Sequence, residues 1–225
     1  MLRLCLALVT GLVLSGCGDP APRGGGDILA IGDSVLWWNG NSDRAIPDVV
    51  GKVLDRKVVN RAVPGAQFDN DSSLASAAGF DIQRQYPGGR WNWIVMNGGA
   101  NDVSSDCDCG ACGPVVDALV SADGQSGSIP SFLAQLRQRS GAQILWMGYY
   151  AGSGKGSFEG CRDELVELDS RMNRFAAGRD WATFRDAEDV FDNTNPENFA
   201  FDNTHPSAQG SAVIGTYLAK VIGPR

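Results

Sequence analysis

Histidine is almost missing from this chain: 225 residues contain one, His205. Any chemistry that needs an imidazole therefore has a single address, and a site built from several histidines is excluded. Runs of lysine and arginine are missing too, and the formal charge is −7. Binding to phosphate backbones needs clustered cations, so no nucleic acid is expected as a partner. The same acidic balance argues against electrostatic adhesion to anionic lipid. No apolar run is long enough to cross a bilayer as a mature helix; the run at 4–14 spans eleven residues. Residues 152–157 fail the spacing of a phosphate loop, because Tyr149 and Gly156 stand where a glycine and a hydroxyl residue are required. Residues 69–73 lack the glutamate that closes a calcium loop. No metal and no cofactor are expected.

What is present is an ordinary globular composition, 43% apolar and 20% charged, long enough for one well-cored domain. The first residues differ from the rest. Arg3, a short apolar run and the small residues of Leu14-Ser15-Gly16-Cys17 read as a secretory signal peptide over 1–16. The end of this stretch resembles a bacterial lipobox. That resemblance implies that Cys17 becomes the lipid-modified first residue, since several acyl chains on one residue anchor stably. The alternative is a plain signal peptide with a chance cysteine. Residues 17–26, rich in glycine and proline, cannot build a core and read as a tether, with the domain at 27–225. The expected location is the bacterial cell envelope, lipid-anchored and facing the periplasm or exterior, and a monomer is expected.

Four cysteines remain beyond Cys5 and Cys17: Cys107, Cys109, Cys112 and Cys161. An even count in an exported chain suggests two disulfides. Three connectivities are open, and Cys107–Cys112 with Cys109–Cys161 looks least strained. A four-cysteine zinc site is the rival, weakened by the missing paired C-x-x-C knuckles.

Along the domain, short apolar runs alternate with helical periodicity. Strands are expected at 28–31, 58–63, 93–96, 144–147 and 181–184. Leu165, Leu168, Met172 and Phe175 share one face of a helix over 162–177. Val213, Ile214, Tyr217, Leu218, Val221 and Ile222 form a last apolar stripe, closed by Gly223-Pro224. Strand, crossover helix and strand in repetition imply an α/β fold with a central parallel sheet of about five strands and helices on both faces. Ligands in such sheets bind at the carboxyl ends of the strands.

Four such ends carry candidate chemistry. The first strand runs into Gly32-Asp33-Ser34, where a sharp turn exposes a potential nucleophile. Taken alone, this is common turn chemistry. Asp202 lies three residues before His205, close enough to orient the imidazole, and Pro206 can open the final helix. Asn101, after Gly98-Gly99, can donate through its amide, and Gly65 offers a bare backbone N–H. A local echo bears on the histidine. Phe191-Asp-Asn-Thr-Asn-Pro196 and Phe201-Asp-Asn-Thr-His-Pro206 differ only at Asn195 against His205. Only the second copy precedes the last helix, so Asp192 and Asn195 read as turn structure. Trp37, Trp38 and Tyr149 are candidates for walls of a substrate site, with core packing as the competing reading.

The ordered set Gly32-Asp33-Ser34, Gly65, Gly99-x-Asn101-Asp102 and Asp202-x-x-His205 resembles the four blocks of the SGNH (GDSL) hydrolases. The blocks span 32 to 205. The elbow G-x-S-x-G of α/β-hydrolases does not surround Ser34. The resemblance implies a flavodoxin-like three-layer α/β/α sandwich and ester hydrolysis. It makes Ser34 the nucleophile, His205 the base and Asp202 its orienting carboxylate. Ser34 N–H, Gly65 N–H and the Asn101 side chain become the oxyanion hole. The expected substrates are lipid or small carboxylic esters; the alternative is an O-acetyl group on cell-wall or exported polysaccharide. A non-catalytic envelope binding lipoprotein is the third reading, and the complete set of blocks disfavours it.

Overall fold

The computed structural model describes residues 27–68, 70 and 72–224. The expected signal peptide, the lipidation at Cys17 and the 17–26 tether lie outside the described residues. Five strands form one parallel sheet: β1 (Ile28–Ile31), β2 (Val58–Asn60), β3 (Trp93–Met96), β4 (Gln143–Met147) and β5 (Ala182–Arg185). Among the described residues, eight α-helices connect or flank them: α1 (Ser34–Trp37), α2 (Ile46–Leu54), α3 (Ser73–Ala77), α4 (Ala100–Cys107), α5 (Gly113–Leu119), α6 (Ser128–Ser140), α7 (Arg162–Ala177) and α8 (Ala208–Ile222). The sheet order is β2-β1-β3-β4-β5. This is the expected α/β architecture.

Burial explains why the strands read as they do. β1 is buried along its whole length, and β3 and β4 are buried after their first residue, which is why 28–31, 93–96 and 144–147 are apolar runs, with Gln143 the polar start of β4. β2 and β5 are the edges and only half-buried, so their limits are weaker in the sequence. The expected second strand continues to Val63, whereas β2 ends at Asn60. There the Asn60 side chain turns the chain, donating to the Leu36 carbonyl at 2.8 Å and accepting from Ala62 N–H at 3.1 Å. The ladder still persists irregularly, since Arg61 and Val63 donate to the carbonyls of Ala30 and Gly32. The fifth strand lies one residue later than expected.

The connections define the layers. The chain moves from β1 outward to β2, then crosses back over to β3 and continues to β4 and β5. Right-handed crossovers in opposite directions place their helices on opposite faces. α2 packs on α8 on one side, while α5 contacts α6 and α7 on the other. The carboxyl ends of β1 and β3, where the direction reverses, form the topological switch point where such folds bind ligands.

The start of α8 differs from the sequence expectation. Pro206 does not open the helix. Ser207 is its cap, with Oγ accepting from the N–H groups of Gln209 and Gly210, both at 3.1 Å. A hydroxyl satisfies two of the helix's orphan amides, which proline cannot do. Pro206 instead bridges to Phe199 just before the helix.

Candidate active site

The turn after β1 is shaped by Asn97 at the end of β3. Gly32 has φ of +155°, and a Cβ there would lie 2.0 Å from Asn97 Oδ1, so only glycine fits. Both backbone polar groups of Gly32 pair with the buried Gln85 side chain: Gly32 N–H donates to Oε1 at 2.7 Å, and Nε2 donates to the Gly32 carbonyl at 2.9 Å. Ser34 follows as the first residue of α1, a position whose N–H has no intrahelical acceptor.

Asp33, between them, is 2% exposed and serves the turn. Its Oδ1 accepts from Val35 N–H at 2.9 Å and from Asn97 Nδ2 at 2.7 Å. Its Oδ2 accepts from the Tyr149 hydroxyl at 2.5 Å. Burial pushes the Asp33 carboxyl above the ordinary carboxylate range, against the pull of these donors. Burial and the charge of Asp33 push the Tyr149 hydroxyl well above its usual value, so it remains a donor. The same hydroxyl accepts from Ala100 N–H at 3.2 Å. Tyr149 thus joins the turn that carries Ser34 to the start of α4, which carries Asn101.

The second turn, after β3, begins with Gly99 at φ +106°, where a Cβ would meet Leu168 at 2.6 Å. Asn101 and Asp102 then reach the loop after β2. Asn101 Nδ2 donates to the Ala66 carbonyl at 2.9 Å. Both Asp102 carboxylate oxygens accept from Phe68 N–H at 2.9 Å. These bonds draw the Gly65-Ala66 segment to α4. Gly65 has φ of +76°, the left-handed conformation that glycine adopts freely.

His205 is held by Asp202. Oδ2 meets His205 Nδ1 at 2.5 Å, while Oδ1 accepts from Thr204 N–H at 3.1 Å and His205 N–H at 3.0 Å. A carboxylate at Nδ1 keeps a proton there and leaves Nε2 able to accept one. Partial burial works to raise the Asp202 carboxyl, but the His205 ring and the two backbone donors together hold it below its usual value. The turn is tied from outside as well, since the Tyr150 hydroxyl donates to the Thr204 carbonyl at 2.8 Å.

Ser34, Asn101 and His205 line one cavity of about 600 Å³. Tyr149, Tyr150, Ala100, Val35, Leu165 and Phe158 supply its apolar wall. Ser153, Asn193, Thr194, Asn203 and Thr204 supply a polar rim. Gly65 does not line the cavity; it reaches the site through Ala66 and Asn101. Of the three aromatic wall candidates, Tyr149 lines the cavity. Trp37 packs against the core instead, and Trp38 stacks on His205 with ring centroids 4.0 Å apart. The sequence gives no reason to single out Asn97 or Gln85, whose partners are 64 and 53 residues away.

The segment at 152–157 now has a structural account. Glu159 Oε1 accepts from the N–H groups of Gly154, Lys155 and Gly156 at 2.9, 3.1 and 3.0 Å. The amides that a phosphate loop would offer are taken by the protein's own carboxylate. Two disulfides, Cys107–Cys112 and Cys109–Cys161, brace this side of the site, so zinc is not held there. The second ties the end of α4 to the start of α7.

Residues 30–213 match the model of the GDSL-like Lipase/Acylhydrolase family. No curated protein matches the chain. Among solved structures, a candidate platelet activating factor from Streptococcus pneumonia aligns at 14% identity, with a TM-score of 0.64, over 88% of this chain and 84% of that one. A candidate acylhydrolase from Bacteroides fragilis aligns at 16% identity and a TM-score of 0.60, over 89% of each chain. A catalytic mutant of an acetylxylan esterase from Geobacillus stearothermophilus aligns at 17% identity and a TM-score of 0.58, over 90% of this chain and 96% of that one. At these identities the likeness establishes a shared fold.

Proposed function

The chain belongs to the GDSL-like lipase/acylhydrolase family and is an ester-hydrolysing enzyme, and from that premise we propose that Ser34, His205 and Asp202 are its catalytic triad. The observation that carries this reading is that Ser34, Asn101 and His205 share one cavity at the switch point of the sheet. Ser34 Oγ attacks the ester carbonyl as His205 Nε2 takes its proton. Asp202 holds the ring and stabilises the imidazolium. The tetrahedral oxyanion lies against Ser34 N–H and the Asn101 amide, both on the cavity wall, while Gly65, the third donor expected from the sequence, shapes the loop that Asn101 holds. The intermediate collapses, the C–O bond to the alcohol breaks, and His205 returns the proton to the leaving oxygen. Water then attacks the acyl–Ser34 ester by the same route, releasing the acid and restoring Ser34.

The substrates are small carboxylic or lipid esters. A second reading, an O-acetyl group on a polysaccharide, is favoured by the hydroxyl and amide side chains at the rim, which suit a polyhydroxylated alcohol. The fold likeness to an acetylxylan esterase supports the same direction. A panel of p-nitrophenyl esters of rising chain length, set beside acetate release from acetylated xylan, separates the two. Preference for acetyl over octanoyl esters together with acetate release supports the glycan reading; preference for long chains supports lipid. Substitution of Ser34 by Ala is expected to lower kcat at least about 10⁴-fold while the protein stays folded.

The domain spans 27–225 in this reading. Export through residues 1–16 and lipidation at Cys17 place it on the cell envelope. Radiolabelled palmitate incorporated into the wild type and lost in Cys17→Ser tests the anchor.

A further inference from the structure

Trp38 stands apart from the other aromatic side chains near the site. It does not line the cavity, yet its ring lies flat on His205, with centroids 4.0 Å apart and planes 5° from parallel. Its neighbour Trp37 shows what core packing looks like here: it is half-buried against the core and meets Trp38 edge-on, 6.2 Å away at 71°. The next residue, Asn39, has φ of +68° and grips the same segment from the other end. Its Nδ2 donates to the Pro206 carbonyl at 2.9 Å and to Ser211 Oγ at 3.0 Å. Two successive residues after α1 therefore hold two successive residues of the histidine turn. α1 itself begins with Ser34, so one short segment carries the candidate nucleophile at one end and the support for its base at the other.

We propose that Trp38 is a positioning residue for ester hydrolysis, its indole face fixing the plane of the His205 ring and favouring the imidazolium formed when Ser34 is deprotonated. This rests on the Ser34–His205 reading above. Asp202 holds the imidazole at one edge, through Nδ1. A single edge contact leaves the ring able to rock about the line joining it to the carboxylate. A parallel ring at 4.0 Å blocks that motion on one face. When the imidazole gains its proton, the negative face of the indole attracts the new cation, a gain made in the course of reaction rather than in the resting enzyme.

The other polar groups around His205 come from several elements. Asp202 lies in its own turn, and Asp33 is buried in the turn after β1, where the charge of His205 reaches it. The Tyr150 hydroxyl, after β4, is engaged by the Thr204 carbonyl. Glu159 and Arg162 line the same cavity. None of them is altered by a substitution at Trp38, so a changed pH response in such a variant belongs to the indole.

The test uses the purified full chain, p-nitrophenyl acetate, and the variants Trp38→Leu, Trp38→Phe and His205→Asn. Trp38→Leu is expected to lower kcat about tenfold with KM within about twofold, and Trp38→Phe to recover most of the loss, since a smaller aromatic face remains. The rising limb of kcat/KM should move to lower pH in Trp38→Leu, because the imidazolium has lost its aromatic partner. Tryptophan emission supplies a readout independent of turnover, since a stacked imidazolium quenches an indole. Wild-type emission should rise with pH over the same interval as the rising limb of kcat/KM, and the step should disappear in both Trp38→Phe and His205→Asn. A raised KM with unchanged kcat would make Trp38 a substrate wall and overturn the proposal. So would unchanged kinetics in Trp38→Leu, or an emission step that survives in Trp38→Phe. If Trp38→Leu fails to fold, the phenylalanine variant and the emission step still decide. Full activity in His205→Asn would instead overturn the Ser34–His205 reading on which the proposal stands.

Discussion

The two copies of Phe-Asp-Asn-Thr-x-Pro fold alike at their start and diverge at the fourth side chain after phenylalanine. In the first, Asp192 Oδ1 accepts from Thr194 N–H at 2.9 Å; in the second, Asp202 Oδ1 accepts from Thr204 N–H at 3.1 Å. The copies then part. Asn195 uses its carboxamide oxygen on Glu197 N–H at 3.0 Å, capping the short helix Pro196–Asn198. His205 has no such capping duty: its backbone N–H is held by Asp202, its carbonyl accepts from Ala200 N–H at 2.8 Å, and its ring remains for Asp202, Trp38 and the cavity. Both aspartates sit below their usual acidity range, for different reasons. The Thr194 hydroxyl and N–H lower Asp192, while Asp202 is lowered by His205 and two backbone donors against partial burial. One turn chemistry thus serves as scaffold in one place and as a mount for a base in the other. The first copy is not merely remote structure, however. Asn193 donates to the Gly152 carbonyl at 3.1 Å, and Ser153 Oγ donates to the Asn203 carbonyl at 2.7 Å. The rim segment at 152–157 is therefore pinned between the two copies.

Five substitutions bear on this contrast; Asp192→Asn is the matched control for Asp202→Asn, and the other four run from the largest effect to the smallest. His205→Asn makes the second copy read like the first; it should remove at least about 10⁴-fold of kcat while thermal unfolding stays close to wild type. Asp202→Asn should cost about 10³- to 10⁴-fold in kcat, because the imidazole loses its orienting anion. The matching change Asp192→Asn should leave kcat near wild type and lower the melting temperature only slightly; comparable losses in the two would erase the contrast. Tyr149→Phe breaks the bond from the Ser34 turn to Ala100 and should lower kcat roughly tenfold, as expected for a lost buried hydrogen bond to a charge-bearing partner. Asn193→Ala should raise KM a few-fold, on the order of one rim hydrogen bond, with kcat nearly unchanged.

The pH dependence of stability offers a related comparison. Asp202 is lowered in the folded protein, so the stability it contributes is present above the ordinary carboxylate range and is lost as pH falls through its lowered folded value. Unfolding curves for wild type and Asp202→Asn should therefore approach one another only at pH below the usual aspartate range. Convergence already at neutral pH would contradict this.

Much of the fold was legible because central strands of a parallel sheet are buried on both faces and show as short apolar runs; β1 and β3 match their expected limits residue for residue. The long helix α7 matched for the same kind of reason, a 3.6-residue apolar stripe over sixteen residues. The edges were less clear, since half-buried strands carry a weaker pattern. At the site, Ser34, Asn101 and His205 could be read because each lies in a short local motif. Asn97, Gln85 and the role of Tyr149 could not. Their partners are brought near only by the sheet, so nothing close in sequence marks them. Trp38 was legible as an aromatic side chain near the nucleophile, but its partner His205 lies at the far end of the domain.

The most direct measurement is peptide mapping after reaction with a fluorophosphonate probe. One adduct is expected, on Ser34, lost in Ser34→Ala and strongly slowed in His205→Asn. A folded, ester-hydrolysing protein that labels at another residue, or that labels Ser34 at full rate without His205, would contradict it.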